Sequence, residues 1–261
     1  MASVRPSRGG KNTIRQANAM LLSLIIPTFD EEHSIEKLLK TVFAVPVEKE
    51  IVVVNDCSRD QTKEILEKVK KEYGASPALF PYVKNIVLIH KTKNEGKGAA
   101  IRMGITHTTG DIVMIQDADL ELDPHEYPKL LEPFEKRNAD IVFGSRFQMA
   151  NTRRVFPTAR YLANRFLTIL SNLASGIYLT DMEICYKAFR RELIKSFPLE
   201  ADRFGIEPEL AAYAAKAVRT GKILYEVPVS YYPRTLAEGK KIGFKDGISA
   251  IGAIIKYNFF R

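Results

Sequence analysis

Short apolar runs alternate with amphipathic stretches through the first half of this chain of 261 residues. The apolar runs are rich in isoleucine and valine, which favours buried strands, and they span residues 22–26, 50–54, 86–89, 111–115 and 140–143. Four stretches between them carry apolar residues at helical spacing, over residues 34–44, 60–71, 96–108 and 125–137. This alternation predicts an α/β, Rossmann-like fold whose mostly parallel central sheet has helices on both faces.

The pattern changes after Arg146. We predict helices over residues 159–173 and 207–220, a strand over 223–232, and a strand or turn over 183–189. A last helix, over 244–260, places five large apolar residues near one face: Phe244, Ile248, Ile251, Ile255 and Phe259. No internal repeat or linker is visible, so we predict one main domain over residues 21–243, a basic and disordered arm over 1–20, and an amphipathic C-terminal helix over 244–261.

The net charge of +8 lies at the two ends of the chain. Residues 1–20 carry four basic residues and no acidic one, and the tail from Arg234 carries six basic residues against two acidic ones. A neutral body with basic ends indicates anionic partners, either a phosphate group or an acidic membrane surface. We expect no nucleic-acid partner, because basic and aromatic residues are not interleaved as in single-strand binding proteins.

The chain has no CxxC pair, no signal peptide and no apolar run of about 20 residues. These patterns predict a reducing compartment and no integral membrane segment. We therefore expect a cytoplasmic protein, peripheral on the cytoplasmic face of a membrane. The apolar stripe of the last helix either lies on that membrane or packs on the core, and the sequence leaves both open.

Three carboxylates, Asp117, Asp119 and Glu121, follow the strand that ends at residue 115. In an extended segment, alternate side chains share one side. Carboxylates this close repel one another unless a hard cation lies among them, and oxygen ligands favour Mg²⁺ or Mn²⁺ over zinc. The sequence therefore predicts a Mg²⁺ or Mn²⁺ site with these three residues as ligands.

Two other polar clusters follow predicted strands. Asp56 ends the second strand, where a carboxylate can accept a hydrogen bond from the N–H edge of uracil or guanine, or can cap a turn. Residues 94–98, Asn-Glu-Gly-Lys-Gly, open a helix with two glycines and Lys97. They lack the full phosphate-loop pattern, so a loop that faces a ribose or a phosphate remains the alternative.

The complete motif string is Ile-Pro-Thr-Phe-Asp-Glu at 26–31, Val-Asn-Asp at 54–56, residues 94–98, Asp-Ala-Asp at 117–119 and Gly-Ser-Arg at 144–146. In order and spacing, this string resembles the family 2 glycosyltransferases, which have the GT-A fold. The likeness runs from about residue 22 to residue 241 and looks closest to the dolichol- or polyprenol-phosphate sugar synthases of the mannose and glucose types. It implies an inverting, metal-dependent enzyme that moves a sugar from a UDP- or GDP-sugar to a polyprenyl or dolichyl phosphate.

The resemblance also implies roles for the matching residues. The nucleotide-binding positions are Pro27, Phe29, Glu31, Asp56, Lys97, Asp117 and Ala118. The metal ligands are Asp117 and Asp119, with Glu121 where the mannose synthases usually have glutamine. The remaining roles are catalysis for Asp119 and Glu207, diphosphate binding for Arg234 and Lys240, acceptor-phosphate binding for Arg146 and Lys187, and sugar contacts for Asp181 and Glu183. Glu183 and Lys187 depart from the mannose-type motif, so the resemblance does not fix the donor sugar.

The acceptor decides whether the reaction needs a base. A lipid monophosphate has a second pKa of about 6 and is largely dianionic at neutral pH, so it needs positioning more than deprotonation. If the acceptor is instead a sugar hydroxyl, as in polysaccharide or glycan synthesis, a base is required, and Glu207 or Glu209 is the candidate. A non-catalytic nucleotide or nucleic-acid binder is the alternative of another class, but such a protein has no need of three clustered carboxylates.

Overall fold

The computed structural model of the protein describes residues 20–148, 154–155, 157–234 and 244–261. Within these residues one sheet of seven strands forms the centre of the fold, in the order β3-β2-β1-β4-β6-β5-β7. The strands are β1 (Leu22–Thr28), β2 (Lys49–Asn55), β3 (Val83–His90), β4 (Ile112–Ile115), β5 (Ile141–Ser145), β6 (Lys187–Arg190) and β7 (Leu224–Pro228). Only β6 runs antiparallel to its neighbours, β4 and β5, which confirms the predicted mostly parallel sheet.

The described part of the chain contains eight α-helices. They are α1 (Ile35–Ala44), α2 (Thr62–Ala75), α3 (Lys97–Thr106), α4 (Tyr127–Lys136), α5 (Thr158–Ser175), α6 (Arg191–Ser196), α7 (Ile206–Arg219) and α8 (Phe244–Phe259). The short helix α6 is missing from the sequence prediction. The predicted basic arm, except for Met20, and the predicted diphosphate ligand Lys240 lie outside the described residues.

The predicted strand over 223–232 is shorter than expected, and the segment predicted as a strand or turn over 183–189 begins as a turn; each has a local reason. The segment that begins at Glu183 stays a turn and bend until Lys187, because the buried Lys187 ammonium donates to the carbonyl oxygens of Met182 and Ile184. Those carbonyls are therefore turned inward and cannot pair along a strand. At the other site, β7 ends at Pro228, which pairs with Ser145, the last residue of β5, so the chain beyond it has no strand to pair with.

A crevice forms where the strand order changes direction between β1 and β4. β1 pairs with β2 as far as Thr28 and Asn55, whereas β4 pairs with β1 only as far as Ile25 and Ile115. The carboxyl ends of β1 and β2 thus extend past β4. Ligands of open α/β sheets bind outside the carboxyl ends of strands at such a reversal, so the fold itself marks this edge as a binding site.

The last helix, α8, has one buried face and one exposed face. Ala250, Ile254 and Tyr257 are buried where α8 packs against α5 and α7, while Ile248 and Phe259 stay 58% and 65% exposed. Of the predicted apolar stripe, Ile251 packs against the core, whereas Ile248, Ile255 and Phe259 stay exposed, and the Phe244 side chain lies outside the described part. Within the described residues, no helix is both long enough and apolar enough to cross a bilayer.

Candidate active site

Two adjoining cavities lie at the carboxyl end of the sheet. The first, of about 350 Å³, is here called the donor cavity, and its lining includes Pro27, Phe29, Glu31, Asp56, Lys97, Asp117, Ala118, Asp119, Glu121 and Arg234. The second, of about 500 Å³, is called the α5–α8 cavity, and its lining includes Arg146, Glu183, Glu207, Tyr231, Phe166 and Ile248. Five residues line both cavities and form a shared wall: Lys97, Asp117, Asp119, Glu121 and Phe204. The fold thus gathers residues that are distant in the sequence around one pair of spaces.

Asp56 lies on the floor of the donor cavity with its carboxylate held by the protein. Its Oδ1 accepts from Lys91 Nζ at 2.6 Å and from the Glu95 N–H at 3.1 Å, and its Oδ2 accepts from the Gly96 N–H at 2.6 Å. The amides that open α3 therefore bind a carboxylate of the chain itself. Because these amides already have a partner, the contact argues against a phosphate loop at residues 94–98.

The two glycines of that loop allow close packing on the segment before α7. Gly96 has a φ of 100°, and a Cβ built there would lie 2.5 Å from the Asp202 carbonyl oxygen. A Cβ on Gly98 would overlap the Ala201 carbonyl. Because only glycine fits at both positions, α3 lies close enough to this segment for Phe204 to enter the shared wall.

Lys97 links the two cavities through a pair of acidic partners. Its Nζ lies 2.7 Å from Asp117 Oδ1 and 2.7 Å from Glu207 Oε1. Burial opposes the charged form, but Asp117 and the other anionic groups around the ammonium outweigh it and raise the pKa of Lys97 well above its usual range. Lys97 therefore stays charged and holds Asp117 and Glu207 in a fixed relation. The sequence placed Lys97 in a nucleotide loop but gave no sign of this bridge.

The carboxylates that follow β4 crowd together, although not in the predicted manner. The chain turns at Asp119 instead of staying extended, and Leu120 takes up a left-handed conformation with φ of 61°. Burial raises the pKa of Asp119 to about 7, and the Asp117 and Glu121 carboxylates add to the shift. The three carboxylates therefore lie close together as predicted, but a turn brings them together and not an extended segment.

A divalent cation at these carboxylates would need further oxygen ligands from a bound molecule. Among the described residues, no three acidic, histidine or cysteine side chains are grouped as a metal site. Asp119 Oδ2 lies 3.4 Å from Arg234 Nη2, so this carboxylate, like Asp117 beside Lys97, faces a protein cation. Asp117 and Asp119 fit a cation that takes its remaining oxygens from a bound diphosphate, which is the usual environment of Mg²⁺.

Glu121 holds the segment that carries Arg234. Its Oε1 accepts from the Arg234 N–H at 2.7 Å, and its Oε2 accepts from the Tyr231 hydroxyl at 2.9 Å. The Arg234 guanidinium in turn donates to both Glu31 oxygens, at 3.0 and 3.1 Å. These contacts therefore hold Arg234 at the donor cavity, which it lines. Glu121, predicted as a metal ligand, serves here to position Arg234.

Arg146 lines the α5–α8 cavity, and its guanidinium donates to the carboxylate of Asp181. The guanidinium and carboxylate form a two-pronged pair with both distances at 2.7 Å, and Asp181 is fully buried. Burial opposes the charged guanidinium, but Asp181 outweighs it and raises the pKa of Arg146. Asp181 lines neither cavity, so it orients Arg146, a placement that differs from the predicted contact with a sugar.

Two other predicted site residues are buried away from the cavities. Lys187 is fully buried, donates to backbone carbonyls and lies over the Phe143 ring, so it cannot reach an acceptor phosphate in this structure. Glu209, the alternative base, is fully buried and accepts from the Glu200 and Ala201 N–H groups. Both predictions are corrected for the same reason: motif spacing does not tell on which side of the backbone a side chain lies.

One supporting carboxylate escaped the sequence analysis. Glu226, on β7, accepts hydrogen bonds from the Thr180 N–H at 2.8 Å and from the Asp181 N–H at 3.3 Å. It therefore anchors the backbone that carries Asp181, which in turn orients Arg146. The only signal in the sequence is an acidic residue inside an otherwise apolar strand, a position at which an unpaired charge is rarely tolerated.

Comparison with known proteins places the chain in a family. The sequence profile described as Glycosyl transferase family 2 matches residues 23–197, which is more than half of the chain. The chain belongs to glycosyltransferase family 2. The match covers the first six strands of the sheet and the carboxylates of the shared wall, so the family confirms the resemblance that the motif string indicated.

Individual relatives of this family 2 chain cover most of its length. It is 29% identical to the dolichyl-phosphate beta-glucosyltransferase of Trichomonas vaginalis, over 95% of this chain and 76% of that protein. It is 28% identical to the undecaprenyl-phosphate mannosyltransferase of Micrococcus luteus, over 86% of this chain and 88% of that protein. Among solved structures, glucosyl-3-phosphoglycerate synthase from Mycobacterium tuberculosis, in complex with Mn²⁺ and UDP, aligns with a TM-score of 0.67 at 20% identity, over 92% of this chain and 80% of that one. This similarity confirms the GT-A fold.

Proposed function

We propose that this family 2 glycosyltransferase transfers a sugar from a UDP- or GDP-sugar to a polyprenyl or dolichyl phosphate, with inversion at the anomeric carbon. The observation that carries the proposal is the pair of cavities with a shared acidic wall. The donor cavity is lined by residues at the ends of strands, among them Asp56 with its hydrogen-bonded carboxylate, whereas the α5–α8 cavity combines Arg146 with apolar side chains. The same assignment is supported by relatives whose names give lipid phosphates as substrates and whose alignments cover 95% and 86% of this chain.

The donor cavity suits a nucleotide sugar because its lining combines groups for a nucleoside with groups for a diphosphate. Asp56, with Pro27 and Phe29, offers an acceptor and apolar contacts for a nucleoside. Asp117, Asp119 and Arg234 also line the cavity, and we propose that the diphosphate binds beside them. A Mg²⁺ or Mn²⁺ ion held there by Asp117 and Asp119 would neutralise the diphosphate and stabilise the departing nucleotide.

The α5–α8 cavity suits an acceptor with an anionic head and an apolar chain. Arg146 and Arg160 supply positive charge, while Phe166, Leu167 and Ile251 supply an apolar lining. The guanidinium of Arg146 is already oriented by Asp181, so a phosphate bound there is positioned without further ordering of that side chain. A largely dianionic phosphate needs only such positioning to attack.

In the proposed reaction, a phosphate oxygen of the acceptor attacks the anomeric carbon as the bond to the nucleoside diphosphate breaks. Arg146 holds the attacking phosphate, and Arg234 leaves Glu31 and Asp119 to contact the departing diphosphate. Lys97 keeps Asp117 and Glu207 in place beside the transferred sugar. The reaction needs no covalent intermediate, so a single displacement with inversion results.

A hydroxyl-directed transferase is the second candidate, and one observation favours it. Glu207 lines the α5–α8 cavity, and its buried Oε2 has no hydrogen-bond partner among the described residues. A carboxylate with one unused oxygen in an acceptor cavity has the form of a general base. This candidate predicts transfer to uncharged acceptors, which the lipid-phosphate proposal does not.

The test compares two lipid acceptors that differ only in the phosphate group. The purified protein is incubated with Mn²⁺, a panel of UDP- and GDP-sugars, and vesicles that contain either polyprenyl phosphate or the matching polyprenol, and nucleoside diphosphate release is measured. We expect polyprenyl phosphate, but not polyprenol, to raise the release of nucleoside diphosphate above the rate measured without an acceptor. Equal release with the polyprenol would favour the hydroxyl-directed candidate, and no stimulation by either lipid would contradict the proposal.

Arg234 provides a prediction on donor affinity. We expect Arg234→Ala to raise the dissociation constant of the productive nucleoside diphosphate, measured by calorimetry with Mn²⁺, by about tenfold to a hundredfold, because it removes charge-assisted hydrogen bonds of roughly 1.5–3 kcal/mol. Arg219, which donates to the Ser175 carbonyl outside both cavities, provides the matched control Arg219→Ala. Equal dissociation constants for Arg234→Ala and wild type would reduce Arg234 to a structural partner of Glu31.

We also propose that the protein binds peripherally to the cytoplasmic face of an anionic membrane. The exposed face of α8 has a counterpart on α5, where four apolar side chains at helical spacing are each at least half exposed: Leu162, Phe166, Ile169 and Leu173. Phe166 and Ile248 also line the α5–α8 cavity, so its mouth opens between the two apolar stripes. A lipid acceptor could then enter with its chain still in the bilayer.

Liposome flotation tests this surface. We expect the wild-type protein to float with anionic vesicles at low salt, and the double variant Phe166→Glu with Phe259→Glu to lose at least about tenfold in partition, because each change places a charge in the apolar contact. Leu79→Glu changes an exposed apolar residue far from both helices and serves as the control. Flotation of the double variant equal to that of the wild type would contradict the proposed surface. A wild-type protein that does not float and is dimeric in solution would also contradict it, because the apolar side chains would then be covered by a second copy of the chain.

A further inference from the structure

Tyr231 is linked to both arginines of the proposed reaction, Arg146 at the acceptor phosphate and Arg234 at the diphosphate. The Arg146 guanidinium lies over the Tyr231 ring, with its central carbon 5.1 Å from the ring centroid. The Tyr231 hydroxyl donates to Glu121 Oε2 at 2.9 Å, and Glu121 Oε1 accepts from the Arg234 N–H at 2.7 Å. One side chain thus supports the acceptor side with its ring and the donor side with its hydroxyl.

The segment that carries Tyr231 is held on both sides of this residue. Before it, the Ser230 N–H donates to Glu126 Oε2 at 2.7 Å. After it, the Tyr232 N–H donates to the Glu121 carbonyl oxygen at 2.9 Å. Tyr231 itself is buried, with 3% of its surface exposed. A side chain held in this way fixes the positions of the groups that contact it.

The ring and the hydroxyl of Tyr231 perform separate tasks. Burial raises the pKa of Tyr231, so the hydroxyl keeps its proton and remains a donor to the Glu121 carboxylate. The contact with Arg146 depends on the face of the ring and not on the hydroxyl. Phenylalanine at this position would keep the first contact and remove the second, so the two supports can be removed one at a time.

We propose that Tyr231 is a positioning residue that sets Arg146 and Arg234 relative to each other, and with them the attacking phosphate and the departing diphosphate. This inference rests on the proposed function and adds a residue to its machinery. A direct displacement needs the attacking and leaving groups aligned across the anomeric carbon, and a misplacement of about 1 Å can lower the rate about a hundredfold. A support shared by both arginines preserves that alignment.

The first arm of the test measures binding on the donor side by calorimetry with Mn²⁺ and either UDP or GDP, whichever the wild type binds. We expect Tyr231→Phe to raise the dissociation constant by about threefold to tenfold, because Glu121 loses a hydrogen bond that holds it in place. The control is Tyr73→Phe, which removes a hydroxyl that donates to the Val83 carbonyl outside both cavities and should leave the dissociation constant unchanged.

A double variant tests whether Tyr231 acts through Glu121. When Tyr231→Phe is added to Glu121→Ala, the dissociation constant should rise by less than about twofold over Glu121→Ala alone, because the acceptor of the hydroxyl is already absent. A hydroxyl that serves only the stability of the fold would not show this dependence. Independent losses that multiply in the double variant would overturn the inference, as would Tyr231→Phe with the dissociation constant of wild type.

The second arm measures the acceptor side through the KM for polyprenyl phosphate in vesicles. Tyr231→Phe keeps the ring beneath Arg146, so its KM should stay within about twofold of wild type. Tyr231→Leu removes the ring and should raise KM by about threefold or more, because the guanidinium loses its cation–π contact. Equal KM values for the two variants would overturn the role of the ring. If the wild type binds the nucleoside diphosphate but transfers nothing to polyprenyl phosphate, the proposed function fails, while the calorimetric arm still decides whether Tyr231 positions Arg234.

Discussion

Asp119→Asn should lower the rate of sugar transfer by about a thousandfold or more and leave the fold intact. The carboxylate lies in the shared wall, beside Asp117 and 3.4 Å from the Arg234 guanidinium, where the diphosphate is proposed to bind. Asparagine keeps the shape but removes the charge that a divalent cation requires, and such an ion stabilises the departing group by several kcal/mol. Steady-state transfer assays measure the rate, and calorimetry measures whether nucleoside diphosphate binding still depends on Mn²⁺.

Asp123 supplies the control for this variant. It accepts hydrogen bonds from the backbone and the ring of His125 and lines neither cavity, so Asp123→Asn should transfer sugar at a rate close to wild type. A rate for Asp119→Asn within tenfold of wild type, or wild-type activity that EDTA does not reduce, would remove Asp119 and the cation from the mechanism.

The same variant should change the pH dependence of stability in a defined direction. The pKa of Asp119 is raised to about 7 in the folded protein, against about 3.9 in an unfolded chain, so the folded state binds the proton more tightly. Its contribution to stability is complete below pH 4 and is lost as the pH rises toward 7. Asp119→Asn lacks this loss, and urea unfolding should therefore show the variant gaining on wild type between pH 4.5 and pH 8. An unchanged difference between the two proteins across that range would contradict the raised pKa.

Asp181→Asn should have the largest effect on stability, lowering the free energy of unfolding by about 3–5 kcal/mol. Asp181 is fully buried and holds Arg146 through two 2.7 Å contacts, so loss of its charge leaves a largely buried guanidinium without its partner. Glu132, which pairs with Lys136 on the surface, gives the control Glu132→Gln, expected to change stability by less than about 1 kcal/mol. Equal losses for the two variants in urea unfolding would refute the ion-pair argument.

A double variant separates stability from function at the same place. Arg146→Met combined with Asp181→Leu removes both charges, so much of the lost stability should return. Transfer to polyprenyl phosphate should not return, because the phosphate no longer has its oriented guanidinium. Recovery of both properties together would mean that Arg146 serves the fold alone.

The fold could be predicted from the sequence because its strands are buried on both faces and bounded by polar residues. The pattern located the first five strands and all helices except α6, and errors fell where side chains override the backbone pattern. The clearest case is the segment over 183–189, for which the pattern left a strand or a turn open: β6 begins only at Lys187, because its ammonium draws two carbonyl groups inward. A periodicity argument contains no information about such a contact.

The site was predictable at the level of motifs and not at the level of contacts. Asp56, Asp117 and Asp119 lie at the cavity, as their positions after strands indicated. Asp181 and Lys187 are instead fully buried, where Asp181 pairs with Arg146 and Lys187 donates to backbone carbonyls, and the motif contains no information about these partners. The apolar face of α5 was also invisible, since an amphipathic pattern does not tell which neighbours cover a helix.

The anomeric configuration of the lipid product tests the central claim most directly. The protein is incubated with Mn²⁺, the productive nucleotide sugar and polyprenyl phosphate, and the extracted lipid is analysed by mass spectrometry and NMR. Direct transfer between two adjacent cavities predicts a glycosyl lipid monophosphate whose anomeric configuration is opposite to that of the donor. A lipid product with retained configuration, or free sugar as the only product, would contradict it.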